Sequence, residues 1–469
     1  MKVAVVGASL AGLAAGALLA RRGCQVTVFE ADAQPGGLGD GPVPRGINRL
    51  PGDHLIWGWR SSRPLMRLFG ALKDHPGATA RHLLQPVPTG LQALGHPHRL
   101  DWGERLAEEI GREFPAALAS WTACAQEWDR EALILGRKGV GHPFLTSGQR
   151  PTEAMADGEP EDQRHETPPP DSGEERQAME EPFAAGPVKE LPREIRHYLN
   201  GVVEAVCWRP LEEVTQPAGL WAMKMTAQEV AVLRDGVDGL MRWLAGRLEA
   251  AGGSLRLGTR VRALKTRGGR VRGISIREGR RRSTEPAERV VVAGGEPSHF
   301  LPLGRFRTKP RRTIGNLVTC LLAVEEGVIP EPLAPLAAYC PVPGEPVLLL
   351  SHNPASLHTL KDMSRRFLMV SWLAEAPGAD SLTIPEELTK RLERLMPFLP
   401  GRWELVPQDD ASGSPLVRRP IPEIDQNDFN PTTTVGGLVK VARHPLPGTA
   451  TTVSLTLGVA AAEAILRGL

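Results

Sequence analysis

The chain has 469 residues, of which 41% are hydrophobic and 23% charged, and a formal net charge of +2. That length exceeds one ordinary core and points to two intertwined domains of globular composition. The charge argues neither for nor against a nucleic-acid partner, and none is expected. Five cysteines, Cys24, Cys124, Cys207, Cys320 and Cys340, are scattered without a C-x-x-C pair. This excludes an obvious zinc site or disulfide framework and suits a reducing, cytoplasmic setting. No run approaches the roughly 18 apolar residues of a membrane span, so any membrane contact would be peripheral.

Lys2 to Val6 reads as a strand and Gly7-Ala8-Ser9-Leu10-Ala11-Gly12 as a tight turn into a helix that ends at Arg21-Arg22-Gly23. Gln25 to Phe29 reads as a second strand, closing on Glu30. An acid about 20 residues beyond the glycines is where a dinucleotide-binding unit places its acceptor for ribose hydroxyls. Gly7 allows the turn, Gly12 lets the helix approach the sheet, and the free N–H groups at the helix start can hold a pyrophosphate. Ser9 stands where the fingerprint has its second glycine. Its side chain costs space, and its hydroxyl could instead donate to a phosphate oxygen. Pro35-Gly36-Gly37 then breaks the chain again.

Residues 38–60 form a glycine- and proline-rich passage ending in His54-Leu55-Ile56-Trp57-Gly58-Trp59, of a kind that lies against a ligand rather than inside a core. His54 is its titratable group of interest, and the simpler alternative is a histidine satisfied by a loop carbonyl. Residues 63–73 and 103–135 read as helices, the second from the spacing of Leu106, Ile110, Phe114, Leu118 and Trp121. From Arg150 to Pro182 there are eleven acids against three arginines, plus Pro168-Pro169-Pro170, so a flexible acidic insertion is expected over 147–187.

A helix over Val237 to Ala250 stops at Gly252-Gly253, and strands follow through Val261 and a turn at Arg267-Gly268-Gly269-Arg270. Residues 256–289 carry eleven arginines and Lys265 against three acids, mostly alternating with apolar residues, as one wet strand face does. An anionic lipid surface is the alternative use of that face. Arg289 to Ala293 reads as a buried parallel strand. Strands at Leu317 to Val324, Val347 to Ser351 and Phe367 to Trp372, then a helix from Pro385 to Met396, make a second domain. Gly437 to Ala442 and Val453 to Leu466 read as a strand and helix that return to the first domain.

In this order of parts the chain resembles the FAD-dependent amine oxidase and phytoene desaturase superfamily. The resemblance rests on the N-terminal fingerprint with Glu30 and Gly36-Gly37, on the helix, Gly-Gly turn and threonine-x-valine strand within Leu240 to Val261, and on the terminal helix around Gly458 to Ala464. Within the superfamily, Gly46, Gly52, His54 to Gly58, Leu65 and Gly70 are most similar to the squalene-associated desaturases, whose substrates are long isoprenoids.

The resemblance implies an α/β fold: a two-part Rossmann-type FAD-binding domain (1–75, 236–300 and the closing 431–469) with a substrate/helical region (76–235) and an inserted α+β substrate domain (301–430). It implies that Gly7, Ser9, Leu10, Ala11 and Gly12 cradle the pyrophosphate, that Glu30 with Ala31 holds the adenosine ribose, and that Gly36, Gly37 and Leu38 reach the flavin-side phosphate and ribityl. Val261 would hold the adenine through its backbone, with His54, Arg443, Thr452 and Val453 closing the site. No catalytic acid, base or metal ligand is implied.

The departures from the family pattern fall on the cofactor site. They are Ser9, Leu38 after the glycine pair, Ala442-Arg443 in place of a glycine and an acid, and Thr449-Ala450-Thr451-Thr452 in place of glycines. The expectation is therefore an FAD-dependent, desaturase-like oxidoreductase acting on an apolar small molecule through an altered FAD site. The alternative is a relative that has lost flavin and serves as a binding or partner subunit. A single-domain NAD(P)-linked dehydrogenase is disfavoured, because it needs neither Gly36-Gly37 nor a returning C-terminal strand and helix.

Overall fold

The computed structural model of the chain describes residues 1–36, 53–72, 82–95, 98–137, 182–293, 299–300, 313–325, 327–330, 333–340, 347–352, 365–374, 386–406, 416–422, 433, 435–441 and 450–468. In chain order the first elements are β1 (Lys2–Val6), α1 (Leu10–Arg21), β2 (Gln25–Phe29), β3 (Leu55–Trp57), α2 (Arg63–Ala71), β4 (Leu84–Val87), β5 (Leu91–Leu94) and β6 (Arg99–Trp102). Four helices and a strand follow: α3 (Leu106–Glu113), α4 (Leu118–Arg137), α5 (Arg193–Cys207), α6 (Gln216–Thr226) and β7 (Val230–Leu233). Then come α7 (Gly236–Ala250), β8 (Ser254–Arg256), β9 (Thr259–Arg267), β10 (Arg270–Glu278), β11 (Arg281–Pro286) and β12 (Arg289–Val292). The last part comprises β13 (Thr313–Glu325), β14 (Leu336–Tyr339), β15 (Leu348–His352), β16 (Arg365–Ala374), α8 (Glu386–Leu395), β17 (Trp403–Leu405), β18 (Leu416–Pro422), β19 (Leu438–Lys440) and α9 (Ala450–Leu466).

A five-stranded sheet runs β19-β12-β1-β2-β8, and every pairing in it is parallel. Its strands come from both ends and the middle of the chain, so the C-terminal strand returns to the N-terminal sheet as the sequence leads one to expect. Helix α1 is apolar all round, and its residues from Leu10 to Ala20 are buried. Such a helix must be covered on more than one side. It lies among the sheet, α7 and α9. At the α1–α9 crossing a Cβ on Gly458 would stand 2.5 Å from the Ala11 carbonyl oxygen and 3.0 Å from the Ala14 Cβ, so only glycine permits this approach.

The antiparallel sheet β11-β10-β9 buries Val261, Leu264, Val271, Ile274 and Ile276 in one core with Ala4, Val6, Phe29, Val290 and Val292. Its arginines alternate outward, the wet face expected from the sequence. A small sheet, β3-β7-β4, sits beside α9.

The largest sheet runs β17-β13-β16-β15-β14-β5-β6, with β18 also paired to β13. Strand alternation gives it two faces. Val318, Cys320, Leu322, Leu348, Leu350, Leu368 and Val370 pack on Leu388, Leu392 and Met396 of and just after α8. Leu317, Leu336, Ala338 and Leu349 point the other way and join the core that contains α1, α5 and α9. The fold is the α/β architecture expected, a two-part parallel-sheet domain with an inserted α+β domain.

Three local expectations are corrected. The helix read over 103–135 is two, because Pro115 cannot continue an i to i−4 ladder and α3 ends at Glu113. Residues 182–187, read as the end of a flexible acidic insertion, are folded: Phe183 is fully buried and stacks on Trp128 at 5.6 Å, while residues 147–181 lie outside the described residues. His54 to Trp57, read as the end of a loop, enters and forms a buried strand, with the His54 carbonyl accepting the Leu233 N–H at 2.8 Å.

Candidate functional site

The turn between β1 and α1 is built by the residues that the fingerprint requires. Gly7 takes φ +99°, which a side chain would resist. A Cβ on Gly12 would stand 2.1 Å from the Gly7 carbonyl oxygen, so the third glycine is what lets the helix start press against the strand end. Ser9 is the N-cap of α1 and its Oγ accepts the Gly12 N–H at 3.3 Å. The same hydroxyl donates to the Ala293 carbonyl at 2.9 Å. Its one proton is committed inside the protein, which corrects the expectation of a hydroxyl free for a phosphate. What Ser9, Leu10 and Ala11 can offer an anion is main-chain N–H groups at a helix start whose first turn has no acidic residue.

Glu30 follows β2 and reaches back under this turn. Its Oε2 accepts the Ala8 N–H at 2.8 Å and its Oε1 the Asp32 N–H at 3.1 Å. A carboxylate oxygen has two lone pairs, so each keeps one for a further donor, and the pair is fixed in place to meet two neighbouring hydroxyls. Ala31 is exposed beside it. The Glu30 carbonyl accepts the Thr259 N–H at 2.7 Å and the Asp32 carbonyl the Gly258 N–H at 2.8 Å, which ties the start of β9 to this acid. Strand β9 is the edge of its sheet. Since the Thr259 N–H points out of that sheet, alternation puts the N–H and C=O of Val261 on the same free edge, while the Val261 side chain is buried. Gly36 completes this side, its N–H donating to the Ala8 carbonyl at 3.2 Å.

A second cluster forms at the start of α9. Thr451 Oγ1 donates to the Asp53 carbonyl at 2.5 Å, and Thr452 Oγ1 accepts the Trp57 N–H at 3.0 Å. These threonines clamp both sides of His54, and Thr451, Thr452, Val453 and His54 are all buried. The departures at Thr451 and Thr452 thus have a structural use. Gly37, Leu38 and Arg443 lie outside the described residues.

The match to known proteins covers most of the chain. The family model for flavin containing amine oxidoreductase matches residues 10–411. The chain belongs to the flavin containing amine oxidoreductase family. No curated protein matches it by sequence. Its fold is similar to that of a protein from Pyrococcus furiosus (16% identity, TM-score 0.62, covering 100% of this chain and 98% of that one). It is also similar to an oxidoreductase from Methanosarcina mazei (14%, 0.59, 100% of both) and to cyclohexylamine oxidase from Brevibacterium oxydans (15%, 0.56, 99% and 98%).

Membership in this family implies FAD, and the residues described fit it. The half-buried Glu30 carboxylate keeps acceptor capacity for a vicinal diol, the Gly7–Gly12 turn offers main-chain N–H groups with the Ser9 hydroxyl turned onto Ala293, and the free edge at Val261 can pair with a purine. Sequence reasoning missed Ala8, Ala293, Thr259 and Asp53, which act through the backbone and carry no chemical signal of their own. It also missed Glu204 on α5. Burial pushes its carboxyl up to about 8, against the hydrogen bond from Val347 that favours its charged form.

Proposed function

We propose that this flavin oxidoreductase removes a hydride from a carbon of an apolar, isoprenoid-type substrate in a desaturase-like reaction. The observation that carries this reading is the inner face of the large sheet, the face that shares a core with α1 and α9. Leu317, Leu336, Ala338 and Leu349 are buried there. The hydroxyls on that face are buried too, and those of Thr319 and Ser371 satisfy each other at 2.7 Å. Beside this face Glu204, with its carboxyl at about 8, is mostly neutral at pH 7 and gives an ammonium group no counter-charge. Burying a cation without a partner is expensive, whereas an apolar chain gains from such a wall.

Bound FAD supplies the two-electron acceptor, and the protein supplies binding, orientation and a dry site. Glu30 would hold the ribose hydroxyls, the main-chain N–H groups of Ser9, Leu10 and Ala11 would receive the pyrophosphate, and the free edge of β9 at Val261 would take the adenine. Thr451 and Thr452 fix the segment around His54 against the start of α9. The test is anaerobic mixing of the flavin-loaded protein with a long isoprenoid hydrocarbon and, separately, with primary alkylamines. Bleaching of the flavin band by the isoprenoid alone supports the reading, and bleaching by amines alone replaces it with amine oxidation.

A further inference from the structure

The outer face of the β9–β11 sheet carries an array of cations. Arg260, Arg262, Lys265 and Arg267 of β9, Arg272 and Arg277 of β10 and Arg282 of β11 all project from it, opposite to the buried Val261, Leu264, Ile274 and Ile276. Arg260, Arg277 and Arg282 are direct cross-strand partners, a row of three like charges on adjacent strands about 4.8 Å apart. Like charges placed directly opposite each other oppose folding. A face that is merely wet has no need of them, since serine or threonine would serve, as at Ser275 and Thr284 in the neighbouring row.

Nor do local acids neutralise the array. The stretch 256–289 holds three acids, and each is engaged elsewhere. Glu278 and Glu285 lie on the other side of the sheet and both bind Arg256, at 3.2 and 3.0 Å. Glu288 accepts the Lys2 N–H at 2.9 Å. Among the described residues none of the seven outward cations has a carboxylate partner, and Arg277 Nε donates to the Gly279 carbonyl at 2.7 Å.

We infer that this face docks the protein on an anionic lipid bilayer. The shape favours a bilayer over a nucleic acid: the cations spread in two dimensions over three strands, and residues 256–289 contain no aromatic side chain on which a base could stack. Basic clusters of this size attract anionic headgroups with an affinity that grows with each cation and falls with salt. Among the described residues no helix is long and apolar enough to cross a membrane, so contact would be through the surface. Lipid binding is measured without turnover and so is independent of the substrate proposed above.

The experiment is co-sedimentation of the full-length chain with vesicles of phosphatidylcholine alone and of phosphatidylcholine mixed with phosphatidylserine. Three proteins are compared: wild type, the triple variant Arg260→Ser, Arg277→Ser, Arg282→Ser, and the same three positions changed to Lys. Wild type and the lysine variant should sediment with the mixed vesicles, release at high salt, and ignore the neutral ones. The serine variant should lose at least roughly tenfold in partitioning. Its circular dichroism and thermal midpoint should match or exceed those of wild type, since a repulsive row has been removed. Three results overturn the inference: equal binding to neutral vesicles, no binding to mixed ones, or unchanged binding by the serine variant. Retention of a single-stranded oligonucleotide or of polyglutamate with vesicles left unbound overturns it in favour of that partner.

Discussion

Ser9 donates its hydroxyl proton to the carbonyl of Ala293 at 2.9 Å, joining the start of α1 to the chain just past β12 across 284 residues of sequence. The same oxygen caps the Gly12 N–H. A serine in place of the usual second glycine therefore acts as a fastener between the first and middle parts of the nucleotide domain. Ser9→Ala should lose both bonds and about 1–2 kcal/mol, read as a lower thermal midpoint. An unchanged midpoint would show that the tie carries nothing.

Glu30 should govern cofactor retention. Hydrogen bonds from hydroxyls to a fixed carboxylate are worth about 1.5–3 kcal/mol when made to a charged group. Glu30→Ala should accordingly weaken FAD binding by roughly tenfold to a hundredfold, measured by titration of protein fluorescence or flavin absorbance.

The α1–α9 contact should tolerate no added methyl. Gly458→Ala would place a Cβ 2.5 Å from the Ala11 carbonyl oxygen, backbone that cannot give way cheaply. A loss of about 1–3 kcal/mol is expected, again as a lowered thermal midpoint. An unaffected midpoint would contradict the packing described.

Glu204 makes stability depend on pH. Its carboxyl sits at about 8 in the folded protein, above the ordinary 4.5, so the folded state holds the proton more tightly than the unfolded chain. This contribution is fully present below about 4.5 and is lost as pH rises, the loss being complete above about 8. Glu204→Gln keeps an acceptor for the Val347 N–H and carries no charge. It should flatten stability between about pH 4.5 and pH 8 and exceed wild type above pH 8 by several kcal/mol, an order-of-magnitude figure. A variant with the slope of wild type would locate the titrating group elsewhere.

The cysteines should behave as core residues. Cys124, Cys207 and Cys320 are buried and pushed up to about 12, and burial raises Cys340 as well. Cys24 is partly exposed. A thiol reagent should titrate Cys24 first in the native protein and all five only after denaturation.

Much of this was legible in the sequence, and the limits have physical causes. The β1–α1–β2 unit could be read because glycines and a terminal acid at fixed spacing serve both fold and ligand, so Gly7, Gly12 and Glu30 stand where expected. The returning β19 and α9 were equally clear from short apolar patterns. Helices α3 and α4 merged in the reading because side-chain periodicity continues across Pro115 although the backbone ladder does not. His54 to Trp57 read as a loop because the glycines and prolines before it outweighed a three-residue strand. Glu204 left no trace, since its burial comes from α5 packing against β5 and β14, far away in sequence. The use of Thr451 and Thr452 was hidden for a similar reason: their partners, Asp53 and Trp57, lie about four hundred residues earlier.

The most direct test of the central claim is the absorption spectrum of the purified protein after incubation with excess FAD and gel filtration. The Glu30 and Gly7–Gly12 geometry predicts flavin bands that stay with the chain at close to one FAD per protein. A colourless protein that returns all added FAD would contradict the flavin oxidoreductase assignment and leave the fold as a scaffold for another role.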